Sequence, residues 1–123
     1  MPGQQIVPGP DHPITIEPNP ARVVVRVGDR VVADSTSALS LRESTYPAVS
    51  YLPLVDVDQT LLRPTDTQTY CPYKGDASYY SLDLPEGELT DVIWTYEQPY
   101  PAVAEIAGHV AFYATKVDIT EQR

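Results

Sequence analysis

The sequence predicts a mainly β domain: a small antiparallel sandwich or open, barrel-like sheet, with one short helix near residues 101–108. Three observations predict it. Short apolar or β-branched runs recur at intervals of roughly eight to twelve residues, the spacing of strands in such folds. Several of them alternate with period two, as a strand with one buried face does. The 13 prolines are spread along the chain between the runs and punctuate strands; they do not form one polyproline tract.

Residues 1–13 are polar, rich in Pro and Gly and without periodicity, which predicts a mobile or strap-like N-terminal arm; 14–123 reads as a single β domain with no internal repeat. Val23, Val25 and Val27 alternate with Val24 and Arg26, Gly28-Asp29 supplies a turn, and Arg30–Ala33 returns, a β-hairpin. Leu39 and Leu41 share one face of the next strand, with Ser40 and Arg42 on the other. Tyr46-Pro47 is a break and Val49–Leu52 a short apolar run. Val55–Leu62 fits a strand and one helical turn equally. Thr67–Tyr73 and Ala77–Leu84 are two strands flanking Lys74-Gly75-Asp76, and Asp83–Glu88 is a turn. Val92–Tyr96 is a strand. Pro99 and Pro101 open the helix, Ala102–Ala107, which Gly108 ends. Val110–Val117 closes the domain as a final strand.

A chain of 123 residues with 42% hydrophobic residues encloses one core. With 8 basic and 17 acidic side chains the formal charge is −9. Such a surface repels phosphate over a screening length of about 8 Å, which argues against nucleic acid and anionic membranes as partners. Cys71 is the single cysteine, so an intramolecular disulfide and a four-thiolate zinc site are both excluded, and no metal or cofactor is expected. No apolar run approaches the about 20 residues of a membrane span. The segment Met1–Pro8 lacks the basic and apolar regions of a signal peptide, so the expected location is cytoplasmic, where Cys71 stays a thiol.

Two strings stand out chemically. In Thr69-Tyr70-Cys71-Pro72-Tyr73-Lys74-Gly75, a thiol, a phenol and an ammonium lie close together, and Gly75 permits a sharp turn or a close approach to a ligand. Lys74 beside Cys71 would favour the thiolate and make Cys71 and Lys74 the candidate catalytic residues. The same residues also fit a buried structural thiol, an aromatic plug and a solvated lysine. In the second string Trp94 and Tyr96 share one side of a strand, with Pro99 and Tyr100 next, a platform for flat stacking or a core anchor. Nine tyrosines against one phenylalanine require many ring hydroxyls to find partners, which suits a polar cavity better than a dry core. Asp56 and Asp58 form a D-x-D pair able to hold magnesium or simply to be solvated, and His12 and His109 stand too far apart to form a metal cluster. No G-x-S-x-G, H-E-x-x-H or G-x-G-x-x-G string occurs.

In His12-Pro13-Ile14, Ala33-Asp34-Ser35, Tyr46-Pro47, Cys71-Pro72-Tyr73-Lys74-Gly75-Asp76-Ala77, Trp94-Thr95-Tyr96, Ile106-Ala107-Gly108 and Phe112-Tyr113, the chain resembles the bacterial and fungal family catalogued as domain of unknown function number 427. The resemblance runs roughly from His12 onward, and its C-P-Y-K-G string is the most specific part. It implies a β-tent, similar to methionine sulfoxide reductase B and to zinc-stabilised tents, in which two small sheets meet at an apex around a cleft. The four zinc-binding cysteines of those relatives have one counterpart residue type here, so the metal does not carry over. No shared motif aligns the reductase thiol with Cys71. The nucleotidyltransferase label sometimes attached to the family has only Asp56 and Asp58 to support it.

The expected function is therefore binding of a small molecule, sugar-like or a small anionic metabolite, in an aromatic cleft lined by Arg42, Cys71, Tyr73, Lys74, Trp94 and Tyr96. An enzyme using Cys71 or Lys74 is the first alternative. The second is a protein-interaction module with a tyrosine- and proline-rich edge, for which a homo-oligomer is a possible form.

Overall fold

The computed structural model describes residues 5–122. Among these are ten strands: β1 (Ile14–Pro18), β2 (Arg22–Val27), β3 (Arg30–Ser35), β4 (Leu39–Glu43), β5 (Val49–Pro53), β6 (Leu62–Cys71), β7 (Gly75–Leu84), β8 (Gly87–Thr95), β9 (His109–Phe112) and β10 (Asp118–Gln122). They form two sheets, a seven-stranded one in the order β1-β4-β5-β9-β8-β7-β6 and a three-stranded one in the order β10-β2-β3. Every pairing is antiparallel. The larger sheet ends in edges at β1 and β6, so no barrel closes, and the mainly β open sandwich expected from the period-two pattern is the fold.

The middle of the larger sheet is buried on both faces. One core packs Val23, Val25, Val32 and Ala33 of the small sheet with Leu52, Leu82, Ile93, Val110 and Phe112 of the large one. The other face carries Leu41, Tyr51, Ala77, Tyr79, Tyr96 and Ala111, with Trp94 packed against them. Strand alternation divides neighbours such as Tyr51 and Leu52, or Ile93 and Trp94, between the two cores. This explains continuous apolar runs such as Val110-Ala111-Phe112, which a strand with one wet face would not show. Regular alternation fails once in β8, where Val92 and Ile93 belong to the same core. There the β7–β8 register shifts between Tyr80 and Leu82, and Asp91 takes φ +52°. That bulge is held from the side: Asp91 N–H donates to Ser81 Oγ at 2.9 Å, and the Asp91 carboxylate accepts the hydroxyls of Thr65 and Thr67 at 2.6 Å each.

Several elements differ from the sequence expectation. Ile14–Pro18, for which the sequence reading named no element within the β domain, is a strand paired with β4. Val55–Leu62 resolves into two 3-10 turns, Leu54–Asp56 and Gln59–Leu61, the second capped by Asp58, which accepts from Thr60 N–H at 3.0 Å. The short helix is a 3-10 segment, Pro101–Ile106, broken at Val103 (φ −126°, ψ 29°) and pinned by burial of Val103 and Ile106. The expected closing strand Val110–Val117 is strand only to Phe112: residues 113–117 form a turn, closed by Lys116 N–H on Tyr113 O at 2.9 Å, that carries the chain from β9 to β10 in the other sheet. Of the N-terminal arm, residues 1–4 lie outside the described residues; Ile6 N–H reaches Pro72 O at 2.8 Å, and His12 N–H closes a turn on Gly9 O at 2.9 Å. No helix among the described residues is long and apolar enough to cross a membrane.

Candidate functional site

The site is organised by the β6–β7 hairpin. Cys71 pairs with Gly75, and Lys74 N–H returns to Cys71 O at 3.2 Å, so Pro72, Tyr73 and Lys74 form the tip. Gly75 has φ +113°, a region that L side chains avoid, and a Cβ on it would lie 3.4 Å from Gln98 O. This close approach lets Tyr100 N–H bond Lys74 O at 3.0 Å and fixes the lysine backbone. The Lys74 side chain then turns inward and is only 9% exposed.

An ammonium removed from water needs a counter-charge. Glu43, the last residue of β4, supplies it: Lys74 Nζ donates to Glu43 Oε1 at 2.5 Å. The second carboxylate oxygen, Oε2, lies 2.8 Å from His12 Nε2. His12 is itself positioned by stacking on Tyr73, with centroids 4.1 Å apart and planes 11° from parallel. Burial alone would raise the Glu43 carboxyl, but the hydrogen bonds from Lys74 and His12 outweigh it and hold Glu43 below the ordinary carboxylate value. Lys74 also donates to Cys71 Sγ at 3.5 Å and lies 5.9 Å from the centre of the Tyr96 ring. One arm residue, one strand end and one hairpin tip are thus joined across a partly buried ion pair.

Above this pair a cavity of about 210 Å³ opens between β4, β5, β7 and β8. Five of the nine tyrosines line it (Tyr46, Tyr51, Tyr79, Tyr96 and Tyr113) together with Trp94, Lys74 and Glu43. Tyr46 and Tyr113, 64% and 39% exposed, stand at its rim. Two of the deeper hydroxyls have side-chain partners: Trp94 Nε1–H donates to Tyr51 Oη at 3.2 Å, and Tyr79 Oη lies 2.9 Å from Thr69 Oγ1. Burial pushes the Tyr51 phenol up to about 12 and the Tyr96 phenol higher still. Tyr113 is raised to about 12 by burial and by its hydrogen bond with Tyr79. All three therefore remain neutral phenols near pH 7. The rings of Trp94 and Tyr113 meet at 4.6 Å, and Tyr51 abuts Trp94 edge-on at 6.4 Å.

Of the six residues named from the sequence as cleft-lining, Lys74, Trp94 and Tyr96 line the cavity. Cys71 and Tyr73 stand behind it, the thiol under the lysine ammonium and the phenol ring against His12. Arg42 is elsewhere: alternation along β4 turns it away from Leu41 and Glu43, and it sits exposed beside a surface groove with Ser40 and Glu17. Asp56 accepts Ser35 Oγ–H at 2.7 Å and Asp58 is the turn cap, so each carboxylate has a local structural task. His109 donates from Nδ1 to Ala107 O at 2.9 Å, outside the cavity. Sequence reasoning missed Glu43, Tyr51, Tyr79 and Tyr113. The signals present were the surplus of tyrosine and the parity of Leu39, Leu41 and position 43.

The profile of the family described as Domain of unknown function (DUF427) matches residues 15–123. The chain belongs to this family. No curated protein matches the sequence. The match takes in β4, the β6–β7 hairpin and β8, which carry the ion pair and Trp94, but it begins after His12. Among the described residues no three His, Cys, Asp or Glu side chains converge as metal ligands.

Proposed function

We propose that this DUF427 domain binds a compact small molecule in the tyrosine-walled cavity. The observation that carries the reading is the Lys74–Glu43 pair in the lining of a 210 Å³ cavity with Trp94 and Tyr96. A core that needed only stability would be served as well or better by apolar residues there, since a buried pair contributes little net stability. Aromatic walls with a few convergent polar groups are the usual make-up of a ligand pocket. Trp94 is the chain's one tryptophan, so its emission reports on the cavity directly. Screening sugars, amino acids, nucleotides and carboxylic acids should give a spectral shift with one compound class. Tyr113→Ala, at the rim, should weaken that response about tenfold, the loss of a ring contact of about 1.4 kcal/mol. If no compound moves the emission of the folded protein, the proposal fails.

A second reading, an enzyme with Cys71 as nucleophile, is favoured by the 3.5 Å contact between Lys74 Nζ and Cys71 Sγ. It requires a thiol that iodoacetamide reaches in the folded protein and that reacts below the ordinary cysteine value of about 8.5. Labelling only after denaturation removes it.

A further inference from the structure

The charge balance of the cavity narrows the ligand class, on the footing that the cavity is a binding site as proposed above. Its lining holds one cation and one anion, Lys74 and Glu43, joined at 2.5 Å. No net charge is left to greet a ligand. A carboxylate or phosphate would gain Lys74 only by displacing Glu43, which would then be a partly buried anion facing another. An amine would meet the Lys74 ammonium. A wholly apolar ligand would strip water from the carboxylate and the phenols and return no hydrogen bond.

A hydroxyl group satisfies these constraints together: it brings no charge and both donates and accepts. A carboxylate offers about four acceptor positions, and Lys74 and His12 each approach a different oxygen of Glu43. Tyr51 accepts from Trp94 Nε1–H, which keeps the phenol's own proton available to donate. Trp94 and Tyr96 add flat apolar wall for the C–H face of a ring. At about 30 Å³ per water, the 210 Å³ cavity holds only a handful of waters, a volume that matches the part of a ligand the size of a single ring. We infer that the cavity takes an uncharged, polyhydroxylated ring of monosaccharide size, with hydroxyls on Glu43 and Tyr51 and its C–H face on Trp94.

The test is a set of rings differing in charge alone. Methyl glucoside, methyl galactoside and methyl mannoside are titrated against Trp94 emission, with the matching uronates and 2-amino sugars beside them. At least one neutral ring should shift the emission, and its uronate and amino counterparts should bind at least about tenfold more weakly. Glu43→Gln, which leaves Lys74 uncompensated, should reverse the order in favour of the uronate. Lys74→Gln should favour the amino sugar, so either variant that folds is decisive. A charged member that binds the wild type as tightly as the neutral ring overturns the inference. Silence from every neutral ring, with a response to some other compound class, overturns it while leaving the binding cavity in place. Silence from all compounds removes both.

Discussion

The same strands of the seven-stranded sheet build two faces that differ in almost every physical respect. Toward the small sheet β5, β7, β8 and β9 present Leu52, Leu82, Ile93, Val110 and Phe112, side chains without a polar atom. Toward the cavity the neighbouring positions present Tyr51, Tyr79, Trp94 and Ala111, and the edge elements add Glu43, Lys74 and His12. The first face gains from burial alone, at about 25 cal/mol per Å² of apolar surface. The second encloses hydroxyls and charges that need partners, and several are found across the strands: Thr69 for Tyr79, the Trp94 N–H on Tyr51, Glu43 for Lys74. The difference teaches that one sheet can carry a dry core on one side and a polar, tyrosine-walled cavity on the other, separated by the thickness of a backbone.

The sharpest way to break that separation is to damage the dry face and look at the wet one. Leu82 is fully buried in the first core, and Leu82→Ala should cost about 3 kcal/mol in denaturant unfolding, from lost transfer energy and an unfilled cavity. Ligand response at Trp94 in the folded variant should be unchanged. A weakened response would mean that the strands transmit packing defects from one face to the other.

A somewhat smaller effect is expected from Lys74→Met. It leaves Glu43 with His12 alone, and the cost should be about 2–3 kcal/mol, at or below the low end for a broken buried pair, because Glu43 keeps 18% of its side-chain surface in solvent. The pH dependence separates this from a packing defect. Lys74 and His12 hold the Glu43 carboxyl below its ordinary value of 4.5, so the stability they contribute is complete above that value and is lost as pH falls through the lower, folded value. The gap between wild type and Lys74→Met should therefore narrow below about pH 4.5. The gap for Leu82→Ala should not follow that titration. A pH-independent Lys74→Met gap would show that the lysine acts through its methylenes.

Much of the dry face was legible because its code is local. Val23, Val25 and Val32 follow from alternation across a Gly28-Asp29 turn, and any hairpin with that pattern buries them together. The wet face was legible only in its most distinctive residues, Lys74, Trp94 and Tyr96. Glu43 reaches Lys74 across 31 positions of sequence, through a pairing of β4 with β1 and β5 that no local signal encodes. Even so, period two does place position 43 on the side of Leu41 and turns Arg42 outward. The bulge at Asp91 and the break at Val103 arise where tertiary contacts override local preference: hydroxyls of Thr65 and Thr67 hold the first, and burial of Val103 and Ile106 fixes the second. The last expected strand stops at Phe112 because of a turn through Ala114-Thr115-Lys116 that periodicity alone passes over, and β10 begins only beyond it at Asp118.

The smallest effect is the most specific to the comparison. Tyr51 is 1% exposed, packs like a core residue and carries one polar atom, which accepts from Trp94 Nε1–H. Tyr51→Phe removes that oxygen and nothing else. The indole N–H loses its acceptor, so unfolding should become about 1 kcal/mol easier even though a phenylalanine of the same shape fills the space. A hydroxylated ring should also bind more weakly, having lost the Tyr51 proton as a donor. The same ring change thus reads out both properties, and a loss of binding larger than the loss of stability would assign the hydroxyl chiefly to the ligand.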